Sequence, residues 1–347
     1  MAYNGQLRSN EIFSAIYNMI ISQKVEAKNI AETFSSLVDE ARVEGSLKGD
    51  TKLYYATDCL KSVEWGADAE ATNLLALHRP PAPNCQAIVL DTFRQISLTV
   101  DDYLSKRAFA DEGAFSSFNS VMLGWIRETK RIYDATTYNA FIGTDVSTAT
   151  VNTVEVVSAN YPSLGQGIGE VLADLIVDLK DISRDYNELG YLRSYDPSDL
   201  EVVFNSKYVN QVRFIDLPAL FNQEEVKKVI EMGKTLPSRY FGTVNTDKAT
   251  ADASTRALTE QDIGGKHYFA GDKIPTGTSL TGVESYQEDA NIIAKVFVKG
   301  SVPYMSAFEV GTSFYNPKSL TENHYLTFGH NTLVHLADKP MIKIIKA

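Results

Sequence analysis

Cysteine is nearly absent from this 347-residue chain, which holds only Cys59 and Cys85. Two are too few for a disulfide framework, so a reducing compartment is expected. Histidine is scarce too, at five residues, which leaves little material for a metal cluster. Basic residues are outnumbered, 33 Lys and Arg against 44 Asp and Glu, for a formal charge of −11. That disfavours a protein gripping nucleic acid through many phosphates, although not one that merely surrounds it. No segment approaches the ~18 uninterrupted apolar residues of a membrane span. The start, MAYNGQLRSN, lacks the basic patch and apolar run of a signal peptide, and MIKIIKA at the other end is no lipidation signal. The expectation is a soluble chain that stays in the cytoplasm where it is made.

What is present is ordinary globular material, 44% hydrophobic and 22% charged, in a length that suggests about two domains. Residues 9–45 have helical spacing: Ile12, Phe13, Ile16, Tyr17 and Ile20, then Ile30, Phe34, Leu37, Val38 and Ala41, ended by Gly45. KLYYATDCLKSVEWG and NCQAIVLDTFRQISLTV are β-rich and flank the turn-prone HRPPAPN, which predicts an extended hairpin. Residues 111–142 predict one helix roughly 45 Å long, with Phe118, Met122, Trp125, Ile126, Thr129 and Tyr133 on one stripe.

Beyond it, VEVV predicts a short strand, and Ile168, Leu172, Leu175, Ile176, Leu179 and Ile182 a strong helix. LEVVFNS predicts a buried strand, and FNQEEVKKVIEMG a short helix with capping-box spacing from Asn222 to Glu225. Residues 242–282, Thr-, Ala- and Gly-rich, predict a long polar loop, functional or mobile. From 291 onward strands dominate. The order of helix, hairpin, long helix, mixed region and strands makes the fold class α+β.

Chemical motifs are weak. GQGIGE (165–170) precedes a helix, yet its pattern is G-x-G-x-G and Tyr161-Pro162 interrupts the strand a dinucleotide fold would need, so a flexible helix entry is expected. GGKH (264–267) has Lys266 but no following Ser or Thr. His324, His330 and His335 are spaced for neither a zinc site nor one strand face, and scattered surface or interface histidines are expected. The sequence therefore names no catalytic, cofactor or metal residue. The 18 Tyr and 16 Phe are better informed, since aromatics fill cores and are enriched at interfaces. A long hairpin, a helical arm and a long helix cannot all cover their apolar faces in one globule, which points to burial against other copies.

In this order of elements the chain resembles the tailed-bacteriophage major capsid protein fold. The resemblance implies an N-terminal helical arm at 1–45 and an extended loop with flanking peripheral strands at 46–105. A spine helix at 106–145 (EGAFSSFNSVMLGWIRETKRIYDATTYNAFIG), an axial domain at 146–285, peripheral strands at 286–328 and a C-terminal return at 329–347 follow. VVFNS, ending in Asn205, is similar to the family's axial strand before a short amphipathic turn, and Lys339-Pro340 to the turn into its final strand.

The implied function is a shell protein, not an enzyme, assembling through hexamers and pentamers around double-stranded DNA. No cofactor or membrane is implied. Its implied partners are further copies, a portal and, because the chain shows no fused helical scaffold, a separate scaffolding protein. Candidate inter-subunit contacts are Lys61, Glu64, Trp65, Arg79, Arg127, Lys130 and Arg131. The alternatives are an encapsulin-like nanocompartment shell and, from another class, a nucleotide-binding α/β enzyme using GQGIGE.

Overall fold

LEVVFN and IIAKVFV carry apolar residues at consecutive positions, so both faces of either strand need cover. The computed structural model shows how that cover is supplied. It describes residues 37–45, 48–62, 77, 79–101, 112–144, 152–213, 233–245, 247–306 and 309–347, with backbone alone for 112–123 and 210–213. Helix α1 (Leu37–Ala41) leads into strands β1 (Arg42–Glu44), β2 (Thr51–Ala56) and β3 (Asn84–Asp101), then helix α2 (Glu112–Gly143). Next come β4 (Asn152–Val156), α3 (Leu164–Lys180), β5 (Leu200–Asn205), α4 (Ser206–Arg213) and β6 (Lys234–Leu236). Short strands β7 (Gly242–Val244), β8 (Thr255–Ala257), β9 (Gln261–Ile263), β10 (Lys266–Tyr268) and β11 (Ser285–Glu288) precede β12 (Ile292–Val298) and β13 (Tyr304–Ser306). The last three are β14 (Val310–Asn316), β15 (Thr321–Asn331) and β16 (Met341–Lys346).

One sheet has the order β4-β16-β12-β5-β6 and is covered on both faces. Val202, Phe204, Val296, Ile342 and Ile344 meet Ile168, Leu172, Ile176 and Leu179 of α3. On the other face Val203, Phe297 and Met341 meet Tyr138, Phe141 and Ile142 of α2, with Leu37, Val38 and Ala41 of α1. Lys295, fully buried on this second face opposite Val203, donates from Nζ to the Thr144 carbonyl at 2.9 Å, where α2 has ended. A cation there offsets the negative end of the helix dipole.

GQGIGE is not a flexible entry but the first turns of α3, capped by Ser163, whose side chain accepts from the Gln166 amide. Its three glycines are buried. A Cβ on Gly167 would stand 2.5 Å from the Tyr161 ring, so glycine here allows close packing. With no loop left to cradle a phosphate, the nucleotide-enzyme reading loses its motif. Asn205 caps α4 by accepting from the Lys207 amide at 3.0 Å and donates to Ile292 O at 2.9 Å, which ties β5 to the start of β12.

The second sheet has the order β1-β13-β15-β3-β2, with β14 on the open side of β15. Its axis is the 18-residue β3, about 60 Å of strand. β3 pairs with β2 over Asn84–Val89 and with β15 over Leu90–Asp101. The predicted hairpin and long helix are therefore present, whereas 1–36, most of 65–77 and the helix predicted at 221–233 lie outside the described residues.

Residues 242–282 are not a loop. Together with β11, just beyond them, they form the antiparallel sheet β7-β11-β8, and they form the hairpin β9–β10 and a small core of Ala251, Ala257, Ile263, Ile274 and Leu280. Gly264 and Gly265, with φ of 58° and 78°, make the two-residue turn between β9 and β10. Three-residue strands are too short to show a period, and so small a core needs few apolar residues. His330 and His335 correct a second expectation, because both are buried rather than at the surface.

Candidate assembly surfaces

α2, which covers one face of the five-stranded sheet, meets the second sheet at a buried polar junction. Asp134, 1% exposed, accepts from Lys130 Nζ at 3.0 Å, Arg42 Nη2 at 3.1 Å and the Tyr304 hydroxyl at 2.7 Å. Lys130 also pairs with Glu309. One turn of helix thus anchors β1, β13 and the approach to β14. Burial, reinforced by Asp134, pushes the Tyr304 phenol far above its usual range.

Next to Asp134 the Tyr133 hydroxyl lies 2.6 Å from His330 Nε2, while His330 Nδ1 lies 2.8 Å from the Asn331 carbonyl. A carbonyl can only accept, so Nδ1 carries the proton and Nε2 accepts from tyrosine. Burial lowers the His330 pKa, which keeps the ring neutral, and burial pushes the Tyr133 phenol up to about 12. The Arg94 guanidinium lies 4.8 Å from the Tyr133 ring centre and binds Glu260 at 2.8 Å. Through Glu260 the small β unit at 247–285 is attached to β3. Glu260 also meets His267 at 2.7 Å and Asp262 meets it at 2.8 Å. Partial burial opposes a charge on His267, but the two carboxylates prevail and its pKa is raised.

Around this junction the second sheet presents apolar side chains to solvent. Six of the seven residues of β14 are exposed, with Phe314 at 65% and Tyr315 at 46%. β14 pairs with β15 on one side, and among the described residues nothing pairs with its other edge. Leu53 and Tyr55 of β2 are 51% and 64% exposed. An unpaired edge with apolar residues invites another chain.

The charged candidates divide between surface and interior. Lys61 and Arg79 are exposed on the two sides of the hairpin's far end, and Arg127 and Arg131 are exposed on α2. Arg127 lines a groove between α2 and the β14–β15 pair, with Glu309, Thr312 and His324. Lys130, one turn along, faces inward and is held by Asp134 and Glu309 of its own chain. Glu64 and Trp65 lie outside the described residues. Sequence reading missed Leu53, Tyr55 and Phe314, although YY in KLYYA and FY in VGTSFYN put two large aromatics on opposite faces of one strand. Only one face of a sheet strand can join its own core when a single layer covers it.

A family model described as the Phi29-like phage major capsid protein matches residues 4–336. No curated protein sequence matches the chain. Among solved structures, a chain of the capsid of Staphylococcus phage Andhra superposes with a TM-score of 0.64 at 13% identity, covering 91% of this chain and 84% of that one. A chain from the structure of the head fibre and inner core protein gp22 of native bacteriophage P68 gives the same score and identity, covering 88% and 83%. At such identities the likeness shows the fold, a mixed helix-and-sheet architecture found in phage capsids, and the family match runs over nearly the whole chain. On that match the chain belongs to the Phi29-like phage major capsid protein family.

Proposed function

We propose that this capsid subunit closes into an icosahedral shell of hexamers and pentamers around phage double-stranded DNA, inside the host cytoplasm. The observation that carries the reading is the contrast in cover. The five-stranded sheet is buried on both faces, while β14 and the β2–β3 hairpin expose Phe314, Tyr315, Leu53 and Tyr55. Neighbouring copies are the cover these residues need. In this reading 1–45 is an arm, 46–105 the extended loop, 106–145 the spine and 329–347 a return to the axial domain. The axial domain spans 146–285 and takes in β12 as well, because β12 is the middle strand of the sheet formed with β4, β5, β6 and β16. The peripheral strands are then β13 to β15.

The acidic balance suits a wall that DNA must slide past during packing. Lys61, Arg79, Arg127 and Arg131, at the surface, are proposed to set register between copies more than affinity. Glu64 and Trp65 keep the same proposed role, and Lys130 acts through its own subunit by anchoring Glu309 beside β14. A separate scaffolding protein and a portal complete the proposed set of partners.

Electron microscopy of the expressed protein, with and without a scaffolding partner, tests this. Closed shells of one or few diameters are expected, with DNA inside particles from infected cells. Monomers under every condition contradict the reading, and a packaged enzyme in place of DNA favours a nanocompartment.

A further inference from the structure

The β2–β3 hairpin is strapped to its own subunit at two points. Midway along the ladder Gln86 donates from Nε2 to the His335 carbonyl at 2.8 Å, and its Oε1 accepts from the Ala337 amide at 3.0 Å. Its side-chain amide thus stands in for a peptide unit. Two residues beyond β2, Asp58 accepts from Arg184 Nη1 at 2.7 Å and from the Leu192 amide at 3.1 Å. Arg184 also donates to the Gly190 carbonyl at 2.7 Å, a second anchor for its guanidinium within its own loop. Those bonds hold the Asp58 carboxyl down at about 2.

The surface that receives the straps is stiff. Ser183 and Arg193 exchange two backbone hydrogen bonds of 3.0 Å, and Asn187 closes the turn between them on Tyr191 at 2.7 and 2.9 Å. The Glu188 amide donates to the Ala337 carbonyl at 3.0 Å, so the loops at 183–193 and 335–337 form one platform. The Tyr195 amide ties it to Leu179 of α3 at 2.9 Å.

A two-stranded ribbon alone is marginal in water and has no fixed direction. An exposed ion pair adds little to stability. Two straps on one stiff platform nevertheless fix a direction, and they leave Leu53 and Tyr55 facing outward. We infer that Asp58 and Gln86 are positioning residues of shell assembly, holding the hairpin at one angle across the 183–193 and 335–337 platform so that it meets a neighbouring copy in a single orientation. This rests on the reading of the hairpin as a contact between copies.

The test uses the full chain with Asp58→Ala, Gln86→Ala and both together. In unassembled subunits the Leu192 and Ala337 amides should exchange about tenfold faster in the matching variant. Amides of β5 and β12 should keep wild-type rates, which shows that the fold is intact. Micrographs of assembled material should then show a broader spread of shell diameters or a lower yield, most marked in the double variant. Asp58→Arg should behave like Asp58→Ala, and adding Arg184→Asp should restore part of the yield.

Unchanged exchange at Leu192 and Ala337 overturns the straps themselves. Faster exchange with wild-type yield and diameters overturns their role in assembly. If the hairpin touches no neighbouring copy in a wild-type shell, the assembly reading of the hairpin falls and the positioning role falls with it.

Discussion

The five-stranded and six-stranded sheets of this subunit use similar residues to opposite ends. In the first, LEVVFN and IIAKVFV are buried at every position, between α3 on one face and α1 and α2 on the other. In the second, β14 is exposed at six of its seven positions, and β3 alternates between exposed positions and buried or half-buried ones over much of its length. The difference is the number of layers supplied by the same chain. Two layers close a sheet, whereas one leaves a face that other copies must cover. A capsid subunit needs both kinds, since a closed sheet keeps the subunit intact before assembly and an open sheet makes assembly favourable.

If the two sheets differ in this way, substitutions should sort by what they damage. The largest loss is expected at the junction that joins them. Asp134→Ala leaves Lys130 and Arg42 without their shared carboxylate and should cost about 3–5 kcal/mol of subunit stability, read by denaturant unfolding. Within the closed sheet's cover, Leu172→Ala should cost about 2–5 kcal/mol by the same measurement, with assembly impaired only as far as folding is. A cost below about 1 kcal/mol at Leu172 would show that α3 is not an essential layer.

The open sheet should behave in reverse. Phe314→Ser should move subunit stability by no more than about 0.5 kcal/mol. It should raise the protein concentration at which shells form by about tenfold or more, as loss of one buried aromatic implies. An unchanged threshold would erase the contrast between the sheets at β14.

The smallest expected effect is a pH dependence. Burial lowers the His330 pKa in the folded chain, so the unfolded chain binds the proton more readily. His330 therefore favours folding above its unfolded value of about 6.5, and that contribution is lost as pH falls through the folded value. His267 runs the other way: its pKa is raised between Asp262 and Glu260, so its contribution is present below about 6.5 and is lost as pH rises through the folded value. His267 is also more exposed, and its contribution should be the weaker. His330→Gln keeps a donor and an acceptor but does not titrate. It should flatten the acid side of a stability profile below about pH 6.5, and a profile with the wild-type slope would place the sensitivity elsewhere.

Much of the closed sheet was legible in the sequence because its signals are long. The 17-residue α3 and the 32-residue α2 are long enough for a helical period to show, and β5 carries the short apolar run of a buried strand. The hairpin was legible from its β-branched and aromatic runs on either side of HRPPAPN. What stayed hidden depends on contacts between distant residues. Nothing near His330 in sequence says that Tyr133, almost two hundred positions earlier, will donate to it. The straps at Asp58 and Gln86 likewise join residues more than 120 positions apart. At 242–282 the strands are too short for periodicity, and the small core rests on Ala and Ile residues scattered among polar ones. The apolar surface was anticipated from overall shape, not from Phe314, Leu53 or Tyr55 themselves.

The most direct test of the contrast between the sheets is a reconstruction of the assembled shell from electron micrographs, with each copy traced. The account predicts that Phe314, Leu53 and Tyr55 are covered by neighbouring copies, while α3 lies on the five-stranded sheet as it does in the single subunit. Shells in which those three side chains still face solvent, or in which α3 has left its sheet to contact another copy, would contradict it.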